Sequence, residues 1–92
     1  MKNIFAWQRA MRDSPELDAT ARLVGFVLAT YMDKDGRCYP GQARLAEGIG
    51  RSVATVRRGL RTLEAAGFLV TQRGGRGTCN RYRGVIPRTE RP

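Results

Sequence analysis

Apolar residues recur at helical spacing in four segments of the chain, and this spacing predicts four helices. In the first segment, residues 3–12, the side chains of Ile4, Trp7 and Met11 share one face. The other three segments are residues 18–32, 41–49 and 53–66. The pattern therefore predicts a mainly helical protein.

The second helix has two candidate N-termini. Ser14, Pro15 and Glu16 offer a cap residue, a first-turn proline and an acid near the positive end of a helix. Asp18 is the alternative cap and directly precedes a run of good helix formers. The sequence leaves both starts open.

The fourth helix carries the clearest boundary signals. Ser52 can cap its first free amides, and Gly67 is a residue type at which helices commonly end. An apolar stripe runs between them, formed by Val53, Val56, Leu60 and Leu63. This stripe leaves Thr55, Arg58 and Arg61 turned outward, with Arg57 on the flank. The helix is thus expected to have one dry side and one cationic side.

Strand composition appears in three shorter segments. Residues 37–39 are long enough for a short strand, and residues 68–73 and 80–86 flank a glycine-rich tip. The last two predict a β-hairpin in which Tyr82 and Ile86 face the core. One domain over residues 1–86 follows, with a polar tail over residues 87–92.

Positive charge is concentrated in the second half of the chain. Residues 1–50 hold seven Lys/Arg against six Asp/Glu, or 7 − 6 = +1, and residues 51–92 hold ten Arg against two Glu, or 10 − 2 = +8. Arginine outnumbers lysine fifteen to two, and its planar guanidinium suits phosphate and guanine edges. This distribution favours nucleic acid as the partner.

The remaining composition argues against catalysis and cofactors. The chain has no histidine, the commonest general base and zinc ligand, and the turn at residues 33–36 lacks the ligands of a calcium loop. Cys38 and Cys79 are expected to be thiols of the core or strands, with a disulfide as the less favoured reading. We expect no cofactor, no metal, no small-molecule ligand, no membrane span, and a location in the bacterial cytoplasm or nucleoid.

The order of these elements resembles the winged helix-turn-helix domains of phage and plasmid proteins, including replication initiators. The resemblance extends over about residues 18–86, and its motifs are residues 20–23, 35–40, 42–46 and 55–69. Residues 55–69 also resemble the recognition helix of bacterial transcription regulators. The resemblance to winged helix-turn-helix domains implies an α+β, mainly α fold. This fold has a three-helix core, a helix-turn-helix over residues 41–66, a wing over residues 68–86, and an extra N-terminal helix.

The resemblance also implies roles for individual residues. Ser52, Thr55, Arg57 and Arg58 would read bases in the major groove of double-stranded DNA. Phosphate contacts would come from Arg51 and Arg61 and from the arginines around the wing, which are Arg73, Arg76, Arg81 and Arg83. Arg76 at the apex could enter a minor groove. The alternative reading is a solvated helix face on which Arg57 or Arg61 pairs with Glu64.

The N-terminal helix has two readings as well. Ile4, Trp7 and Met11 either close the domain's own core or form the contact of a homodimer. A dimer or a tandem assembly would let more than one recognition helix read the site.

Three functions remain open at the level of sequence. The first is a small transcription or mobile-element regulator that binds double-stranded DNA in a sequence-specific way. The second is the origin-binding domain of a replication initiator. The third, from another class, is an interaction module whose helix face contacts an acidic protein or RNA.

Overall fold

A computed structural model describes residues 4–74 and 80–87 of the chain. The helices are α1 (Ile4–Asp13), α2 (Ala19–Ala29), α3 (Gln42–Ile49) and α4 (Val53–Ala65), and the strands are β1 (Arg37–Cys38), β2 (Leu69–Gln72) and β3 (Arg81–Gly84). The strands form one antiparallel sheet in the order β1-β3-β2. This is the mainly helical α+β architecture of a winged helix-turn-helix, as the sequence predicts. None of the described helices is long and apolar enough to cross a membrane.

Helix α2 starts at the second of its two candidate sites. The Asp18 carboxylate accepts a hydrogen bond from the Ala21 amide at 2.9 Å and caps the helix. The alternative start at Ser14 is not used, because the Ser14 hydroxyl accepts from the Glu16 amide in a turn instead. The guanidinium of Arg22 donates to the Ser14 carbonyl oxygen at 2.6 Å and holds that turn against α2.

Helix α2 also ends earlier than the predicted residue 32. After Ala29 the chain tightens, since the Thr30 amide bonds to the Val27 carbonyl three residues back. Asp33 then closes the next turn: its carboxylate accepts from the amides of Arg37 at 3.0 Å and Asp35 at 2.8 Å. These two backbone bonds lower the pKa of Asp33, the larger effect coming from Arg37. The turn delivers the chain into β1.

The apolar stripes of the helices meet in a single core. Helix α4 packs across α2, with Val56, Leu60 and Leu63 buried between the helices and the sheet. Gly59 lies at the crossing: a Cβ there would be 2.7 Å from Cγ2 of Val24 and 3.4 Å from the Thr20 carbonyl oxygen. The two helices approach this closely because Gly59 has no side chain.

Trp7 joins α1 to the base of the hairpin. The side chain is fully buried, and its indole N–H lies 3.0 Å from the carbonyl oxygens of both Phe68, just before β2, and Val85, just after β3. Met11 is fully buried as well, against α2 at Gly25. A dimer contact through Trp7 and Met11 is therefore wrong, because neither presents surface; Ile4 packs partly buried against the same core.

We expect Trp7→Ala to lower the free energy of unfolding by about 3–5 kcal/mol, since it removes a buried aromatic and leaves two carbonyls short of a donor. Phe5→Ala on the same helix, where Phe5 is 66% exposed, should cost much less. Denaturant unfolding measures the stability of both variants, and sedimentation measures their oligomeric state. A change of oligomeric state in Trp7→Ala at unchanged stability would contradict this role.

Gly59→Ala should also destabilise the protein, by roughly 1 kcal/mol. The gain in helix propensity, about 1 kcal/mol, is outweighed by overpacking against Val24. In a Val24→Ala background the 2.7 Å contact with Cγ2 is gone and only the Cβ of residue 24, at 3.2 Å, remains close, so the same substitution should cost less. Equal costs in the two backgrounds, compared in a double-mutant cycle, would refute the close contact.

Candidate nucleic-acid interface

The turn between α3 and α4 fixes the direction of the exposed helix. Gly50 adopts a left-handed conformation with φ 69° and ψ 31°, which favours glycine. The Arg51 amide then donates back to the Ala46 carbonyl at 3.1 Å, and Ser52 begins the next helix. Two helices joined by this tight turn form a helix-turn-helix, with α3 bracing α4.

The first turn of α4 is organised by Ser52. Its hydroxyl oxygen accepts from the Thr55 amide at 3.2 Å and lies 3.1 Å from the Thr55 hydroxyl. The predicted cap is therefore confirmed, and the hydroxyls of Ser52 and Thr55 also hydrogen-bond to each other. Each can still form one further hydrogen bond outward, because a hydroxyl both donates and accepts.

The outward side of α4 is cationic. Arg57, Arg58 and Arg61 are exposed, and Arg51 is exposed in the turn that precedes them. Within residues 4–74 and 80–87 the one ion pair joins Arg12 and Asp13, so no described arginine of α4 pairs with Glu64. The pairing of Arg57 or Arg61 with Glu64, which the alternative reading of this face allowed, is thus not found among the described residues.

Arg57 is nevertheless held in place. Its Nε donates to Oε1 of Gln42, the first residue of α3, at 2.9 Å. The bond uses one of the five donors of the guanidinium, and the terminal nitrogens keep theirs. Gln42 was not a candidate from the sequence, since only the folded turn brings the start of α3 beside the middle of α4.

A groove of about 180 Å³ separates α4 from the hairpin. Arg57 and Arg61 line it from α4, and Arg73 lines it from the end of β2. Asn80 lies at the same end, where its side-chain oxygen accepts a hydrogen bond from the Gly74 amide at 2.9 Å. This bond links the two arms of the hairpin. The groove thus joins three arginines of the predicted site into one surface, with Glu64 as the carboxylate that lines it.

The other wing arginines lie elsewhere. Tyr82 is buried, and strand alternation turns its neighbours Arg81 and Arg83 to the opposite face of the sheet, away from the core and α4. The single basic wing of the sequence prediction is therefore divided between two faces. Arg76 lies outside the described residues. Ile86 is 48% exposed, so its predicted place in the core is wrong: β3 ends at Gly84 and the alternation ends with it.

Cys38 is a free thiol in the core. Burial, together with the nearby charge of Asp33, raises the pKa of this thiol to about 12. It therefore stays protonated at neutral pH and is a poor nucleophile. Cys79 lies outside the described residues. Among the described residues no group of three or more His, Cys, Asp or Glu side chains could hold a metal ion.

Two solved structures share this fold. One is described as a Rep-DNA complex; it has a TM-score of 0.59 and 16% identity, over 96% of this chain and 74% of the other. The second is described as the N-terminal domain of a DNA binding protein, with a TM-score of 0.57 and 16% identity, over 95% of this chain and 72% of the other. A comparison with curated proteins finds no significant match.

Residues 16–69 match the family of helix-turn-helix domains. The matched range includes α2, β1, α3, the turn and α4, and it ends at the first residue of β2. It spans more than half of the 92 residues. The protein belongs to the helix-turn-helix domain family.

Proposed function

We propose that the protein binds double-stranded DNA in a sequence-specific way by inserting α4 into the major groove. The observation that carries the proposal is the exposed side of α4, where Arg57, Arg58 and Arg61 project from a helix-turn-helix without a carboxylate partner among the described residues. Arginines without an acidic partner, on a helix that α3 holds in place, suit a polyanion whose major groove is about 12 Å wide.

Base reading falls to the N-terminal half of α4. Thr55 and Arg58 lie one helical turn apart on the outward side, and Ser52 precedes them. Arg58 makes no hydrogen bond through its guanidinium to any described residue, so its whole fork is available for the O6 and N7 atoms of guanine. Arg57 has a fixed direction through Gln42, which lowers the entropy lost when it binds a base.

Phosphate contacts flank this reading edge. Arg51 lies in the turn on one side, and Arg61 and Arg73 border the groove on the other. A DNA backbone that follows the groove would pass between α4 and the hairpin. Arg76 lies outside the described residues; the sequence predicts it at the glycine-rich tip, from which it would extend the contact toward the neighbouring minor groove. Arg81 and Arg83 lie off this surface and are not needed for it.

The process that this binding serves has two candidates. We favour a small regulator of transcription or of a mobile element, acting in the bacterial cytoplasm or nucleoid. The alternative, the origin-binding domain of a replication initiator, is supported by the likeness to a Rep-DNA complex. Either role calls for two copies, paired or in tandem, because one recognition helix reads only a few base pairs.

Duplex binding should depend steeply on salt. About four phosphate contacts, from Arg51, Arg61, Arg73 and Arg76, predict a slope of log K against log salt near −3.6 per bound protomer. Arg61→Ala should reduce the slope by about one, whereas Arg9→Ala on α1 should leave it unchanged. Fluorescence anisotropy with a labelled duplex measures the slopes. A slope near zero for the wild-type protein would rule out the DNA proposal.

Sequence specificity should reside in Arg58. On a duplex selected from a random pool, Arg58→Ala should cost on the order of 1–3 kcal/mol, and Arg58→Lys nearly as much, because lysine keeps the charge but loses the bidentate fork. On an unselected duplex both losses should be small. Arg61→Ala is the matched control, since a phosphate contact weakens both duplexes alike. Equal losses for Arg58→Lys on the two duplexes would make Arg58 a phosphate contact.

A further inference from the structure

The sheet has a second cationic surface, which we call the outer face. Strand register and alternation direct its side chains away from the core, since Cys38 and Tyr82 on the same strands are buried. Its members are Arg37, Tyr39, Val70, Gln72, Arg81 and Arg83. Together they line a shallow, open basin of about 1120 Å³.

The outer face brings like charges close together. Arg37 and Arg83 are register partners on neighbouring strands, and Arg81 lies two residues from Arg83 on the same side. Like charges directly opposite each other destabilise a sheet. No described carboxylate forms an ion pair with these three arginines. Asp33 also lines the basin, where Arg37 acts on it electrostatically, but backbone amides already occupy its Oδ1. The arrangement therefore suits an anionic ligand.

The outer face also exposes an aromatic ring. Tyr39 follows β1 directly, lines the basin and is 74% exposed, the largest value among the exposed large hydrophobic residues. No side-chain hydrogen bond holds its hydroxyl among the described residues, so both ring and hydroxyl are open to a ligand. An exposed ring beside arginines provides a stacking platform for bases.

The shape of the outer face does not allow the groove insertion that we propose for α4. The outer face is a concave basin rather than a projecting ridge, so it cannot insert into a DNA groove as α4 does. A single strand can lie along such a surface with its phosphates on the arginines and its bases on the ring. An acidic protein segment would satisfy the arginines but would make no use of an open aromatic platform.

We propose that the outer face binds single-stranded nucleic acid, with Arg37, Arg81 and Arg83 on phosphates and Tyr39 stacked on a base. This site lies on the opposite side of the sheet from the α4 surface: Thr71 borders the groove of α4 on the inner side, and buried Tyr82 is the one described residue that lines both. The protein can therefore hold a duplex and a single strand at the same time.

The test uses fluorescence anisotropy of the full chain with a labelled oligothymidylate of about 12 nucleotides and, separately, a labelled duplex. Tyr39→Ala should weaken single-strand binding about fivefold or more, and Tyr39→Phe, which keeps the ring, should restore it. Arg83→Ala should weaken it by a similar factor and lower the single-strand salt slope by about 0.7. Duplex affinity should change less than about twofold in all three variants.

Matched controls separate this site from the duplex site and from charge alone. Arg58→Ala should weaken binding of a duplex selected from a random pool and spare the oligothymidylate, and Arg9→Ala removes the same charge from α1 with little effect on either. Thermal melting checks that the exposed substitutions leave the fold intact. Three results would each overturn the proposal: no oligothymidylate binding by the wild-type protein, equal effects of Tyr39→Ala and Arg9→Ala, or displacement by polyglutamate as effective as by unlabelled oligothymidylate.

Discussion

The close approach of α2 and α4 at Gly59 is the contact on which the rest of the structure depends. Because no side chain separates the helices there, Val24 packs directly on the backbone of α4, and Val56, Leu60 and Leu63 are buried. Their burial turns the arginines of α4 to solvent. A residue larger than glycine would press on Val24 and strain the contact that orients α4 and the side chains proposed to contact DNA.

Trp7 adds the second constraint, which is the position of the hairpin. Its indole N–H meets the carbonyls of Phe68 and Val85 at the two arms, so the base of the sheet is tied to α1. The groove between α4 and Arg73 exists because both of its walls are anchored to the same core. The described arginines of the second half of the chain are thereby distributed over two surfaces, one beside α4 and one on the outer face of the sheet.

Sequence reasoning succeeded where local forces decide the structure. The Ser52 cap, the apolar stripe of α4 and the glycine beyond its end, Gly67 at φ 87°, depend on neighbours within a few residues. It left the start of α2 open where two local signals competed, at Ser14 and Asp18; in the structure Arg22 bonds to the carbonyls of Met11 and Ser14 and holds the Ser14 turn against α2. Ile86 was misplaced because a strand pattern does not reveal where pairing stops.

The same distinction between local and long-range forces applies to the candidate site. The outward arginines of α4 are visible in the sequence as a helical face. Three features are not visible: the support of Arg57 by Gln42, the separation of Arg73 from Arg81 and Arg83, and the pairing of Arg37 with Arg83. Each needs contacts between residues far apart in the chain, and strand register in particular is set by tertiary packing.

An NMR titration with duplex DNA selected from a random pool tests the central claim most directly, because every amide reports its own environment. The account predicts that the largest shifts fall on residues 51–61 and on Arg73, with small shifts in α1 and on the outer face of the sheet. The largest shifts on the outer face or on α1, with α4 unchanged, would contradict it.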